Sequence, residues 1–333
     1  MATFSLDDVR AVRKERDAWW TVLLVDPLAI RLTRQLARTP VTPDQITVVA
    51  FALGIGAAVC FAQASAGWLV IGALLYHAGF VLDCCDGKIA RLKGLGTPFG
   101  GWLDFMLDRV RDAVCAITLG GGLYAATGQV AYLWIGVAIL GLDMFRYLNS
   151  AQIAKARRSM RAERARAARQ AAAALAEQAA AFEGMPGERV SATAVDAVRN
   201  AGDDVRNADD EQDADGDPDA DGDDAPEPAP KPRGRYAQVR AYLLRHRIRM
   251  HLVSGIEFQM AAFIIGPLTG QVIPAVVIAG GMLLLFEMAL IARFWRSSRR
   301  FAYNRRTNAG VFAPPPGPPA GNNADAVAIR VTT

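Results

Sequence analysis

Charged residues are missing from three long stretches of this 333-residue sequence. No Asp, Glu, Lys or Arg occurs in residues 45–82 or 113–142, and Glu257 is the single charged residue in 252–286. A helix needs about 20 apolar residues to cross a bilayer, so each stretch can supply two spans joined at a turn-prone tip. The predicted tips are residues 62–67 (AQASAG), 126–129 (ATGQ) and 267–271 (PLTGQ). We therefore predict an all-α integral membrane protein with six transmembrane helices rather than an average soluble domain.

Cysteine is scarce, with four residues in the chain, and all four lie within or at the ends of the predicted spans. Cys84 and Cys85 are adjacent, which is not the spacing of a zinc site, so we expect packing roles rather than metal or redox roles. The charged N-terminal segment also lacks a short apolar core followed by a small-residue cleavage site. No cleavable signal peptide is therefore expected.

Basic residues are concentrated before span one, between spans two and three, around the insertion after span four, and after span six. With six spans, these positions all fall on one side of the membrane. The positive-inside rule then predicts a multi-pass protein of the cell membrane, with both termini and the loop between spans two and three in the cytoplasm. Residues 5–37 mix charged and apolar side chains and are predicted to form an N-terminal interfacial amphipathic helix that Pro27 interrupts.

Changes in composition predict a division of the chain into segments. The segment at 183–235 is acidic, rich in proline and without periodicity, so we expect a disordered linker. The full division is N-terminal interfacial and juxtamembrane helices (1–44), spans one to four (45–153), a basic Ala- and Arg-rich cytoplasmic helix (154–182), the linker (183–235), a juxtamembrane helix with spans five and six (236–300), and a flexible tail (301–333).

Four carboxylates lie beside the membrane in LDCCDGKIARLKGLGTPFGGWLDFMLDR, residues 82–109. Asp83 and Asp86 are three residues apart in one helix, and Asp104 and Asp108 are four apart in the next, so each pair lies on one helix face. The glycines and proline of KGLGTPFGG break the helix and allow the two faces to meet. Charge near hydrocarbon is costly unless it is neutralised, and hard oxygen ligands suit Mg2+ or Mn2+. The sequence therefore predicts a divalent-metal site at the cytoplasmic edge.

Small residues beside these carboxylates indicate a substrate. Gly87 and Ala90 lie on roughly the same helix face as Asp83, where a flat ligand can approach the backbone. Arg91 offers a planar donor for a phosphate group. Together they predict a diphosphate held at the membrane surface.

These residues fit the pattern D-x2-D-G-x2-A-R-x8-G-x3-D-x3-D, which resembles the signature of the CDP-alcohol phosphotransferases. A chance match at eight fixed positions is very improbable. The resemblance covers about residues 20–153 and 240–300, and the linker and tails fall outside it. The eight positions are Asp83, Asp86, Gly87, Ala90, Arg91, Gly100, Asp104 and Asp108.

The resemblance implies that a CDP-linked donor gives its substituted phosphate to an alcohol hydroxyl and that CMP leaves. Asp83, Asp86 and Asp104 would hold one Mg2+ or Mn2+ ion, and Asp83, Asp104 and Asp108 a second. Asp108 would also be the general base that deprotonates the acceptor. The stretch TPVTPDQIT (39–47) is similar to the family's P-N-x-x-T approach to span one, with Asp44 in place of Asn. The donor-binding candidates are Gly87, Ala90, Arg91, Gly100, Thr97, Asp44, Gln45 and Thr47.

The acceptor and the particular donor are less specified. Arg109, Arg146 and Arg249 are candidates for binding a phosphorylated acceptor, whereas Asp112 is expected to form a structural ion pair, with Arg109 and Arg111 nearby. CDP-diacylglycerol is the expected donor, reaching the site from the membrane lipid, and a phospholipid is the expected product. A soluble CDP-polyol donor, as in members that join CDP-inositol to inositol phosphate, is the alternative. A homodimer is implied by the resemblance, and no nucleic-acid partner is expected.

A cation transporter that uses the aspartates for conduction is a hypothesis from a different class. Transport predicts carboxylates near the middle of the bilayer and symmetry between two halves of the chain. Here the carboxylates cluster at one end of the spans and no repeat is apparent. An inert scaffold is also disfavoured, since an idle site has no reason to keep all four aspartates.

Overall fold

The fold is helical throughout the described part of the chain. The computed structural model describes residues 4–14, 17–183, 247 and 254–311, with the side chains of 175, 178–183 and 304–311 left aside. A π-helical turn, Thr21–Val25, leads directly into the helix that begins at Asp26. The all-α prediction is confirmed for these residues. The helices are α1 (Leu6–Ala11), α2 (Asp26–Leu36), α3 (Pro43–Gln63), α4 (Ala66–Lys93), α5 (Pro98–Thr127), α6 (Ala131–Glu183), α7 (Gly255–Thr269) and α8 (Val272–Val311).

Three tight turns join these helices into the hairpins α3–α4, α5–α6 and α7–α8. Each turn contains a residue in the left-handed region, namely Ala64 (φ 53°), Gly128 (φ 71°) and Gly270 (φ 68°). A residue in this conformation ends a helix and reverses the chain. All three lie in the predicted tips, so that prediction is confirmed.

Four of the described helices are long and apolar enough to cross a membrane. They are Pro43–Gln63, Ala66–Lys93, Ala131–Ala174 and Val272–Tyr303. Of the other two hairpin helices, α5 has 30 residues but carries five charged residues in its first half, and α7 is shorter. The chain therefore has the helices of a membrane protein, while the count of six spans remains a prediction.

Close approach of small residues organises the hairpins. α3 packs against both α4 and α5, and a methyl group added at Gly122 of α5 would lie 2.6 Å from the Phe61 carbonyl oxygen of α3. Small residues at such crossings let backbones approach, which is how helices associate in a bilayer. At the centre of the core, Phe263 of α7 contacts the rings of Phe61 and Tyr76, with centroids 6.3 and 4.8 Å away.

The cysteines take part in this packing. All four are free thiols, and Cys60, Cys85 and Cys115 are buried. The Cys115 thiol donates to the Gly54 carbonyl at 3.5 Å, across the α3–α5 contact. The expected packing role fits this placement.

The N-terminal helices are held to α4 by a buried ion pair. Asp26 lies 3.1 Å from the Lys88 ammonium, and both side chains are almost fully buried. Arg13 and Arg247 also approach the Asp26 carboxylate, at 4.0 and 3.3 Å. Pro27 lies in the first turn of α2, directly after the π-helical turn, so the chain is helical on both sides of it and the predicted interruption at Pro27 is not found. This region contains α1, the π-helical turn and α2. An amphipathic helix at a membrane interface stays a prediction.

The chain forms two compact units. The first contains Met1–Ala156 and Asp210–Met288, and therefore all the hairpin contacts described above. The second contains Arg157–Asp209 and Ala289–Thr333, where the Arg164 guanidinium lies 5.2 Å from the centroid of the Phe301 ring. The predicted acidic linker lies outside the described residues, apart from its first position.

Candidate active site

A sharp break between two long helices builds the site. α4 ends at Lys93, and Gly94 follows with φ 65°, a conformation that glycine adopts at little cost. α5 then begins at Pro98, and the Thr97 hydroxyl accepts a hydrogen bond of 2.9 Å from the Gly100 N–H. This cap satisfies one of the free N–H groups at the helix start. The helix break predicted from KGLGTPFGG is confirmed.

Three of the four aspartates meet across this break. Asp83 of α4 and Asp104 and Asp108 of α5 each offer a carboxylate oxygen, and these oxygens all lie within 4.8 Å of one another. We call these three residues the carboxylate cluster. The Asp104 Oδ1 atom is buried, and no described residue forms a hydrogen bond with it. Three converging carboxylates with an unpaired buried oxygen fit a divalent cation such as Mg2+ or Mn2+.

Asp86 takes a different position from the other three. It is buried, and its Oδ2 accepts a hydrogen bond of 2.5 Å from the Thr47 hydroxyl of α3. Two predicted site residues, one assigned to the metal and one to the donor, therefore contact each other directly. A role for Asp86 as a metal ligand stays a prediction.

The other predicted donor-binding residues lie at the starts of α3 and α5 and along the second half of α4. Asp44 lies beside Gly100, because a methyl group at Gly100 would be 2.8 Å from the Asp44 Oδ1 atom. Gln45 accepts a bond of 3.2 Å from the Thr42 N–H, which caps α3. Arg91 follows Gly87 and Ala90 on α4, and its Nε donates to the Val12 carbonyl at 2.8 Å. A nucleotide-contact role for these residues stays a prediction.

The predicted acceptor-binding arginines are placed differently from one another. Arg109 pairs with Asp143 at 2.6 Å and with Asp112 at 3.1 Å. Arg146 packs against Gly255, with its guanidinium 4.2 Å from the centroid of the Tyr147 ring. The Arg146 Nε atom is buried and has no hydrogen-bond partner among the described residues. Arg249 lies outside the described residues.

A buried polar network contacts the carboxylate cluster through the ion pair between Arg111 and Asp108. Asp112 accepts hydrogen bonds from Tyr76 at 2.8 Å and from Gln259 at 2.7 Å. It also pairs with Arg109 and, at 3.0 Å, with Arg111, which confirms the predicted ion pair. Sequence reasoning missed Tyr76 and Gln259, since Asp112 is 36 and 147 residues away from them and nothing in the local sequence marks the pairing.

The fold and the site together define a class of protein: a helical membrane protein with a carboxylate cluster at a break between two long helices. Residues 40–193 match the family model for CDP-alcohol phosphatidyltransferase, and this segment contains the cluster and the whole signature. The match confirms, for this segment of the chain, the resemblance predicted from the motif.

Curated relatives are similar to part of the chain. A phosphatidylinositol phosphate synthase of Cutibacterium acnes is 37% identical over 122 residues, which is 36% of this chain and 56% of that protein. An archaetidylinositol phosphate synthase of Methanothermobacter thermautotrophicus is 35% identical over 109 residues, 32% of this chain and 51% of that protein. A bifunctional IPC transferase and DIPP synthase of Rubrobacter xylanophilus is 38% identical over 100 residues, 29% of this chain and 22% of that protein. The similarity thus spans about half or less of each of these relatives.

Proposed function

We propose that this protein is a membrane transferase that moves a phosphatidyl group from CDP-diacylglycerol to an alcohol and releases CMP. The observation that carries the proposal is the carboxylate cluster, which lies within the segment that matches the family. The three carboxylates of the cluster and that of Asp86 would lie beside hydrocarbon, where negative charge is costly unless a positive charge neutralises it. A cation that also binds a diphosphate supplies that positive charge.

We propose that the site holds two Mg2+ or Mn2+ ions. Their ligands would be Asp83, Asp86, Asp104 and Asp108. The bound ions would neutralise the carboxylates and stabilise charge on the diphosphate during in-line displacement. Asp108 acts as general base and accepts the proton of the acceptor hydroxyl. The acceptor oxygen forms a bond to the phosphorus that carries the lipid alcohol, and the bond from that phosphorus to the CMP oxygen breaks. CMP leaves with the electron pair, and Asp108 then releases its proton to water.

The donor lies along α4 and the start of α5 in this proposal. Gly87 and Ala90 leave the helix surface open to the nucleotide, and Arg91 turns from the Val12 carbonyl to a phosphate oxygen when the donor arrives. A charged phosphate is a stronger acceptor for a guanidinium than a neutral carbonyl is. The substituent of the donor remains in the lipid phase beside the helices.

Inositol phosphate is the acceptor to test first, because two of the relatives are named as synthases of inositol phosphate lipids. A phosphorylated acceptor also suits Arg146, whose buried Nε atom finds no partner in the part of the chain that the structure describes. Arg109 is already paired with two carboxylates, so it contributes charge and positioning rather than a free donor.

An acceptor panel tests the proposal. Purified protein with CDP-diacylglycerol and Mg2+ or Mn2+ is incubated with inositol phosphate, inositol, glycerol phosphate or serine, and CMP release is measured. We expect release with inositol phosphate and little with unphosphorylated inositol. An absence of release with every acceptor in the panel would refute the phosphatidyltransferase proposal.

A soluble CDP-polyol donor is the second candidate, supported by the similarity to the bifunctional protein of R. xylanophilus. Replacing CDP-diacylglycerol by CDP-inositol in the same assay separates the two. Cation transport, the candidate from another class, predicts Mn2+ uptake into proteoliposomes without any nucleotide.

We also propose six spans, with α5 and α7 crossing the membrane beside the four apolar helices. The three uncharged tips would lie on the extracellular side of the cell membrane. Both termini and the carboxylate cluster would lie on the cytoplasmic side. Single cysteines placed at Gln63, Gln129 and Gln271 in a chain without its native cysteines should react with an impermeant reagent in intact cells. A homodimer is the proposed assembly, and mass photometry in detergent tests it.

A further inference from the structure

We propose that Arg111 is a positioning residue that holds the carboxylate of Asp108 in the orientation needed to deprotonate the acceptor. This inference rests on the proposed function, in which Asp108 is the base. The Arg111 Nη1 atom lies 2.7 Å from the Asp108 Oδ1 atom. The contact occupies one oxygen of Asp108, and the proposal assigns proton transfer to the other.

Arg111 is fixed on its far side by a second carboxylate. Its Nε atom donates to the Asp112 Oδ1 atom at 3.0 Å, so one planar guanidinium joins Asp108 to Asp112. Tyr76 and Gln259 in turn donate to Asp112, from α4 and α7. Lysine carries the same charge but lacks this planar fork of donors, so it cannot keep both contacts in the same geometry.

The path of the Arg111 side chain is shaped by a glycine of α3. A methyl group built at Gly54 would overlap the Cγ and Cδ atoms of Arg111, so the side chain crosses α3 where a Cβ is missing. The guanidinium carbon also lies 5.2 Å from the centroid of the Tyr76 ring. The Arg111 side chain is 3% exposed, so it is enclosed by close-packed neighbours along its length.

The cost of burying this charge argues for a role beyond packing. A buried arginine destabilises a fold unless its partners offset the cost of removing its charge from water. A fold with well-packed apolar residues in place of the ion pair is often at least as stable. Among the ion pairs of the described residues, Arg111–Asp108 is the one that reaches the carboxylate cluster. Asp108 is 24% exposed, in contrast to Arg111, so the pair connects the buried network to the accessible side of the site.

Arg111→Gln, Arg111→Lys and Gly54→Ala test the inference. The glutamine variant removes the charge, the lysine variant keeps the charge without the fork, and Gly54→Ala displaces the side chain while retaining arginine. We expect each to lower kcat by about tenfold or more, because a small misplacement of a catalytic group costs about that much or more. The KM values for donor and acceptor should stay within about twofold.

Two matched controls distinguish positioning from general damage. Arg10→Gln removes an arginine of an i, i+3 ion pair with Asp7 that is exposed, and Gly56→Ala adds a methyl group to α3 in ordinary contact with Leu75. Both should keep wild-type kcat. All rates are expressed per amount of monodisperse, folded protein. If Arg111→Gln does not fold, the Arg111→Lys and Gly54→Ala variants test the positioning role.

Folded Arg111→Lys and Gly54→Ala proteins with wild-type kcat would overturn the inference, and so would a rise in KM with kcat unchanged. The wild-type rate is measured first in the same preparation. An inactive wild type with every donor and acceptor counts against the proposed function, whereas an active wild type with equally active variants counts against Arg111 alone.

Discussion

The Thr47 hydroxyl of α3 donates a 2.5 Å hydrogen bond to the buried Asp86 carboxylate of α4. This contact joins the polar start of the first apolar helix to the signature in the second. It makes the orientation of Asp86 depend on how α3 and α4 pack. Loss of the hydroxyl would leave a buried carboxylate oxygen without its donor.

Thr47→Val should therefore lower both stability and turnover. An unsatisfied buried polar group costs about 1–3 kcal/mol, so we expect a corresponding fall in the free energy of unfolding. Thr47→Ser, which keeps the hydroxyl, is the control and should restore most of the activity. Thermal unfolding in detergent and CMP release measure the two effects, and a fully active, fully stable Thr47→Val protein would show that the bond is dispensable.

Two adjacent glycines of α5 should respond differently to the same substitution. A methyl group at Gly122 would meet the α3 backbone at 2.6 Å, whereas nothing lies within 4 Å of one at Gly121. Gly122→Ala should lose about 1–3 kcal/mol through overpacking, and Gly121→Ala should be neutral or gain about 0.5–1 kcal/mol of helix stability. Thermal midpoints of the two variants compare them directly, and equal midpoints would contradict the close α3–α5 contact.

Arg146→Gln tests the acceptor side. If the Arg146 guanidinium binds the phosphate of the acceptor, the KM for inositol phosphate should rise by about tenfold or more in this variant, as for loss of a charge-assisted bond. The KM for the CDP-linked donor should not change. A rise in the donor KM instead would move Arg146 to the nucleotide side of the site.

Asp108→Asn should abolish turnover while nucleotide binding stays largely intact. General-base catalysis contributes about 10²–10⁴-fold, and the amide cannot accept the hydroxyl proton. CMP release and equilibrium binding of the labelled donor measure the two properties, with the exposed Asp7→Asn as control. Near-normal turnover would remove Asp108 from the role of base.

The sequence allowed the membrane class, the three hairpin tips and the family to be predicted, since each depends on local pattern. Uncharged runs reveal apolar helices, and turn residues such as Gly128 and Gly270 reveal where they reverse. The meeting of Asp83, Asp104 and Asp108 followed from helical spacing and one glycine-rich break. These features lie within short stretches of chain.

The contacts that support the site could not be predicted in the same way. The path of the Arg111 side chain depends on the missing side chain at Gly54. The Asp112 carboxylate depends on a hydrogen bond from Gln259, far along the chain in α7. Such contacts arise from the angle and depth at which helices pack, which hydrophobic pattern does not specify. The pairing of Asp86 with Thr47 was missed for the same reason, although both residues were predicted to belong to the site.

The most direct test of the central claim is the stoichiometry of the reaction in a purified preparation. Wild-type protein receives CDP-diacylglycerol, inositol phosphate and Mg2+ or Mn2+, and both CMP and the new lipid are quantified, with and without a chelator. The account predicts equal amounts of CMP and inositol phosphate lipid, and neither product once the metal is removed. CMP released without a lipid product, or undiminished synthesis in the chelator, would contradict it.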